Sequence, residues 1–404
     1  MYDFERVIDR RGTSSLKWDF TRTFTGRDDL LPLWVADMDF EVAPEIRRAM
    51  AERLEHPVFG YTLPPESYFQ AAASWLERRH GFSVERSWML SSPGVIPCLS
   101  AAILALTEPG DGVVIQPPVY HPFALRVKGN GRRIVENPLL LSGRRWEMDL
   151  DGLSRVIDAG TRMLVLCSPH NPVGRVWSRE ELGRLVEICA AKGLVIVSDE
   201  IHNDLVMPGF RHVPVATVSP EAARITITLV AATKTFNLAG LGGSLAIVAD
   251  PGVRKRLDAV QHVLFTGLAN VFASAACEAA WRVGEPWLTE LLSYLEGNYR
   301  LLVSFLERRL PHVGVFPLEG TYLALLDMRN LGLSDNELVQ RLQGTGKVWL
   351  DEGFKFGRGG EGLERLNLAC PRPVLSDGLE RLVSAFSSAA GRTDGQGPGR
   401  SPEG

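Results

Sequence analysis

Five short runs between residues 110 and 250 constrain the fold more than any other feature of this chain. They are GDGVVIQPP (Gly110–Pro118), TRMLVLCSPHNP (Thr161–Pro172), LVIVSDE (Leu194–Glu200), RITITLVAA (Arg224–Ala232) and GSLAIVAD (Gly243–Asp250). Their apolar residues are continuous rather than alternating, so each reads as a strand buried on both faces. Helical patterns separate them. SREELGRLVEICAAKG, for example, places Ser178 and Glu181 at capping-box spacing and stops at Gly193. Strands and helices in that order predict a mostly parallel sheet covered by helices on both faces, an α/β fold.

The chain has 404 residues, more than the roughly 100–200 typical of one domain. The sheet region predicts a large α/β domain over 55–285. Beyond Trp281–Leu288 the pattern changes to a long amphipathic helix (Leu288–Leu310) followed by short strands with intervening helix. This predicts a smaller α+β domain over 286–388, joined by an N-terminal segment, 1–54, that also contributes dimer contacts. The Gly/Pro-rich tail, 389–404, is expected to be disordered.

Several function classes are excluded on composition. A net charge of −4 with no basic tract gives no electrostatic case for nucleic acid or a membrane surface. No apolar run reaches the ~18 residues of a membrane span, and the first residues lack the apolar core of a signal peptide. The five cysteines are scattered without C-x-x-C, and the eight histidines form no metal-binding pattern. We therefore expect no protein metal site, no disulfide framework and a reducing cytoplasm.

In an open α/β sheet the ligand lies beyond the carboxyl ends of the strands. The loop after Gln116 offers an aromatic, Tyr120. The loop after Cys167 offers an amide, Asn171. Asp199 ends its strand and, if the strand continues, Ile201 faces the same side. Lys234 follows LVAAT, alone among apolar and small residues. Upstream, SSPGVIPCLSAAILAL is a Gly/Pro turn entering an apolar helix whose free N–H groups suit a phosphate. Singly, each has an ordinary explanation: a paired lysine, a helix-capping aspartate, a turn asparagine, a packed tyrosine. Together they match the needs of pyridoxal 5′-phosphate, which requires an amine for its aldehyde, a carboxylate for its ring nitrogen, an amide for its phenolic oxygen, a stacking partner and phosphate donors.

Nine segments then carry a family resemblance: LPLWVADMDF, FGYTLPPESY, PGVIPCLSAAI, IQPPVYHPF, CSPHNPVGRVW, VSDEIHNDL, TKTFNLAGL, PLEGTYLALLDMR and RLNLACPR. In this order, across nearly the whole chain, they resemble the MalY/PatB branch of cystathionine β-lyase-like C–S lyases, fold-type I enzymes that use pyridoxal phosphate. The resemblance implies that Lys234 forms the Schiff base, Asp199 partners the ring nitrogen, and Asn171 bonds the phenolic oxygen. It also implies that Tyr120 stacks on one ring face and Ile201 packs on the other. Gly94 and Val95 would give N–H groups, and Thr233 its hydroxyl, to the phosphate. Tyr61 would reach that phosphate from the neighbouring subunit of a homodimer with shared sites and border the substrate. Arg365 would hold the α-carboxylate of a small amino-acid substrate, near Ala36.

The activity so implied is β-elimination from an S-substituted L-cysteine to thiol, pyruvate and ammonia. An aminotransferase, or a decarboxylating or oxidatively deaminating enzyme for a cysteine S-conjugate, is the alternative. Transaminases of this fold usually carry arginine eight residues after the lysine, where this chain has Gly242. Thr233, Asn203 and Asp351 also depart from the residues usual in the branch, the last two near the expected site. GRGGEG (Gly357–Gly362) satisfies a dinucleotide fingerprint by letter only, because a strand-like run follows it instead of a helix.

Overall fold

The structure is a computed structural model and describes residues 2–386; the tail expected to be disordered lies outside the described residues. Seven strands form the main sheet: β1 (Met89–Ser92), β2 (Gly112–Ile115), β3 (Arg133–Glu136), β4 (Thr161–Cys167), β5 (Val195–Asp199), β6 (Thr226–Val230) and β7 (Ser244–Val248). Their spatial order is β1-β7-β6-β5-β4-β2-β3. Every pair from β6 to β3 is parallel, and β7 alone runs antiparallel to its neighbours β6 and β1. All residues of β2, β6 and β7 are buried, which explains their continuous apolar character. Each of the five runs read from the sequence contains one of these strands.

Helices lie between the strands. α1 (Val95–Leu106) follows β1 and buries eight of its residues, among them Cys98, Leu99 and Ile103. α2 (Arg179–Ala191) carries the expected capping box: Ser178 accepts the Glu181 N–H, and Glu181 reaches back to the Ser178 N–H. Gly193 closes it with a φ of +69°, a conformation costly for residues with a Cβ.

The second sheet has four antiparallel strands, β8 (Gly314–Val315), β9 (Leu323–Asp327), β10 (Asp351–Glu352) and β11 (Leu363–Asn367), in the order β8-β9-β11-β10. A 25-residue helix, Glu285–Arg309, precedes it, starting three residues earlier than the periodicity suggests because Glu285 and Pro286 form its first turn. The N-terminal segment is stitched to this region: Leu31–Pro32 pairs in parallel with Val348–Trp349. Phe4, Leu33, Trp287, Leu366 and Leu379 share one core cluster. GRGGEG leads into strand β11, with no helix after it, so the dinucleotide reading fails.

Candidate active site

At the carboxyl ends of β4, β5 and β6 lies a cavity of about 230 Å³. Its walls include Ala36, Gly94, Val95, Tyr120, Asn171, Asp199, Ile201, Thr233 and Lys234. These nine sequence-selected residues come from six separate stretches of chain.

Lys234 sits in a single-turn helix, Ala232–Thr235, just past β6. Its Nζ donates to the Ala36 carbonyl. Burial pushes its pKa down to about 8; Asp37 opposes that shift and Arg365 adds to it. The turn is anchored from behind, where the Thr235 hydroxyl donates to Asp204 at 2.9 Å. Asp204 also accepts from Trp75 Nε1 and lies 2.8 Å from His80 Nε2.

Asp199 is the last residue of β5. Burial raises its pKa to about 7, against the lowering effects of the Ile201 N–H and Lys234. Among the described residues it receives one hydrogen bond, from that N–H to Oδ1 at 3.1 Å. This corrects the reason given for Ile201. The strand stops at Asp199, and a local side-chain-to-backbone bond, not strand alternation, turns Ile201 to the cavity.

The Tyr120 N–H donates to the Asn171 carbonyl at 2.9 Å, so the two strand-end loops hold each other. The Asn171 Oδ1 accepts from Arg365 Nη1 at 2.9 Å. Arg365, on β11, is buried and does not itself line the cavity; it reaches the site through Asn171.

Gly94 is the N-cap of α1, and no side chain caps that helix. The cup at this end is closed by Pro93, Gly242 and Gly243, with the Gly243 N–H donating to Pro93 O at 2.8 Å. Gly242 has φ +75°, and a Cβ there would lie 2.7 Å from Pro93 O. An arginine eight residues after Lys234 cannot be accommodated on this backbone without moving it.

Three sequence expectations besides Arg365 fall outside this cavity. Tyr61 is 92% exposed and is not among its walls within one chain. Asn203 is buried but does not line it. Asp351 touches Arg365 rather than the cavity. Sequence reading missed two neighbours. His202 lines the wall, its pKa pushed down to about 3 by burial and by Lys234 and Arg365. Tyr322 donates its hydroxyl to Ala36 O at 3.0 Å. Both stood inside quoted segments, but no local pattern marks either as a site residue.

The residues fit pyridoxal phosphate. A buried carboxylate with one hydrogen bond calls for a cationic partner, which a protonated ring nitrogen would be. A poorly solvated amine stands across from it. The uncapped start of α1 leaves N–H donors for an anion, and the Thr233 hydroxyl makes no hydrogen bond to a described residue. No group of three or more His, Cys, Asp or Glu side chains suited to a metal occurs among the described residues.

The chain belongs to the aminotransferase class I and II family, whose model matches residues 28–382. Within that class it is 45% identical to cystathionine beta-lyase PatB of Bacillus subtilis over 95% of this chain and 100% of the relative. It is 34% identical to protein MalY of Escherichia coli over 96% and 99%. Among solved structures it is similar to cystalysin from Treponema denticola, which contains pyridoxal 5′-phosphate, with a TM-score of 0.93 and 36% identity over 96% of this chain and 99% of that one. It is also similar to the pyridoxal phosphate-bound C–S lyase of Staphylococcus hominis, with a TM-score of 0.89 and 30% identity over 95% and 98%.

Proposed function

We propose that this protein is a pyridoxal phosphate-dependent C–S β-lyase that splits S-substituted L-cysteines into a thiol, pyruvate and ammonia. The observation that carries the reading is the convergence of Lys234, Asp199, Asn171, Tyr120 and the α1 N-terminus on one cavity. Similarity to cystathionine beta-lyases and C–S lyases over nearly the whole chain supports the reaction type.

When bound, pyridoxal phosphate supplies an electron sink that acidifies the substrate's Cα–H and lets a β-substituent depart with its bonding pair. Lys234 Nζ would hold the cofactor by its aldehyde carbon, and the same amine is the group placed to take the substrate's α-proton as general base. Burial, by lowering the Lys234 pKa to about 8, raises the fraction of neutral amine near neutral pH far above that of an exposed lysine. Asp199 would keep a proton on the ring nitrogen. Asn171 would hold the phenolic oxygen, Tyr120 and Ile201 would hold the ring, and Gly94, Val95 and Thr233 would receive the phosphate. Arg365, behind Asn171, would meet the α-carboxylate with its guanidinium, with Ala36 beside it. In this division of labour, residues 55–285 carry the cofactor, while 1–54 and 286–388 bring Ala36 and Arg365.

The working unit we infer is a homodimer in which Tyr61 of the partner subunit completes each phosphate site. Support comes from an exposed apolar stretch, Val58, Phe59, Tyr61 and Leu63, with Val263, Leu264 and Phe265 also exposed, a surface that water does not favour. No helix among the described residues is long and apolar enough to cross a membrane. Five free buried cysteines support a cytoplasmic setting. The test is incubation of the purified protein with L-cystathionine and S-methyl-L-cysteine, following pyruvate, thiol and ammonia. Keto acid from amino acids that lack a β-leaving group, without pyruvate from the conjugates, would refute elimination.

A further inference from the structure

Both terminal nitrogens of Arg365 are engaged by the protein itself. Nη1 donates to Asn171 Oδ1 at 2.9 Å, and Nη2 donates both to Trp34 O at 3.0 Å and to Asp351 Oδ2. The Phe356 ring lies 4.9 Å from the guanidinium carbon. Only Nε, buried, lacks a partner. Both members of the ion pair are buried, at 3% and 4% exposure, so their charges meet with little water between them.

The pair is fixed by the fold. β10 and β11 are antiparallel with Asp351 directly opposite Arg365, which places the two side chains on one face of the sheet. A one-residue slip would put Asp351 on the other face. Asp351 therefore stands against the guanidinium before any substrate arrives. A substrate carboxylate that arrives here meets a cation already neutralised, and adds a second negative charge to one positive one.

We propose that Asp351 is an internal competitor for the substrate's α-carboxylate and so a specificity-determining residue. The carboxylate contact alone gives little net affinity, because binding must loosen an existing buried pair. Binding energy must then come from the sulfur substituent. The site thereby selects cysteine S-conjugates with a sizeable substituent over small free amino acids, which it would otherwise hold unproductively. This rests on the lyase reading only in assigning the α-carboxylate to Arg365.

The test compares L-alanine, which has no β-leaving group, with L-alaninamide, titrated calorimetrically into the holoenzyme and its variants. Asp351→Asn should tighten L-alanine about tenfold and leave L-alaninamide unchanged. Asp351→Glu, which keeps the charge, should bind L-alanine as weakly as wild type, and Asp351→Ser replaces the asparagine variant should that fail to fold. An L-alanine affinity that is unchanged or weaker in the uncharged variants overturns the proposal: Asp351 would then merely orient Arg365. If the affinity shift appears but no conjugate yields pyruvate, the lyase reading fails and the competitor role stands. If pyruvate forms but the shift is absent, the reverse holds.

Discussion

Lys234 and Tyr322 donate to one acceptor, the carbonyl of Ala36, with Tyr322 at 3.0 Å. The N-terminal segment and the residue that leads into β9 thus meet the lysine at a single backbone oxygen. Tyr322 is wholly buried, so removing its hydroxyl deletes a bond without admitting water. Tyr322→Phe should lower stability by about 1 kcal/mol, read as a reduced denaturant midpoint at unchanged slope. A midpoint equal to wild type would show that the shared carbonyl contributes nothing.

Burial holds the Lys234 pKa at about 8 in the cofactor-free chain. An amine attacks an aldehyde only when neutral. Covalent capture of pyridoxal phosphate by the apoprotein should therefore accelerate about tenfold per pH unit below 8 and level off above it. The linkage has the matching sign: a base whose folded pKa is depressed disfavours the charged form, so apoprotein stability rises as pH climbs from about 8 towards the unfolded value. Lys234→Ala should release no pyruvate and should retain no cofactor after borohydride treatment and denaturation. A capture rate flat from pH 6 to 9 would contradict the depressed pKa.

Asp199 has the opposite profile. Its folded pKa of about 7 exceeds the ordinary 3.8, so the apoprotein is penalised as pH rises from about 4 to 7. The full penalty is on the order of 4 kcal/mol. Asp199→Asn should remove that pH dependence, making the apo variant more stable than wild type at pH 8 while abolishing turnover by two orders of magnitude or more. Parallel stability curves for the two apoproteins would show that the carboxylate is already ionised and satisfied.

The parts legible in sequence are those set by local pattern. Lys234, Asp199, Asn171 and Tyr120 follow apolar strands, and strand ends in a parallel sheet share one edge, so proximity could be inferred without coordinates. Ile201 reached the cavity for a different reason, because its N–H bond to Asp199 Oδ1 is invisible to a period-two argument. The Asp351–Arg365 pair depends on the register of a two-residue strand, too short to show alternation. Tyr322 and His202 are recruited by the approach of the Ala36 segment and by burial, both tertiary events with no local signature.

Gly242 is required by its backbone. Its φ of +75° and ψ of −164° lie in a region open essentially to glycine, and a side chain would press on Pro93 O. Gly242→Ala should cost about 2–3 kcal/mol and weaken cofactor retention, since displacement of Pro93 drags Gly94 and Val95 with it. Equilibrium dialysis of pyridoxal phosphate measures the second effect. Full cofactor affinity in Gly242→Ala would separate this turn from the phosphate cup.

Tyr61 offers the cleanest separation of stability from function. At 92% exposure it contributes almost nothing to packing within one chain, so Tyr61→Ala should leave the denaturant midpoint of the apoprotein within about 0.5 kcal/mol of wild type. A hydroxyl donated to a charged phosphate contributes roughly 1.5–3 kcal/mol, so the same variant should release pyridoxal phosphate about tenfold more readily, and Tyr61→Phe nearly as much. If the hydroxyl is donated by the partner subunit, as proposed, wild-type cofactor affinity should fall on dilution below the dimer dissociation constant, while that of Tyr61→Ala should change far less. Affinity in wild type that is independent of protein concentration, or equal to that of Tyr61→Ala, would rule out a shared phosphate site.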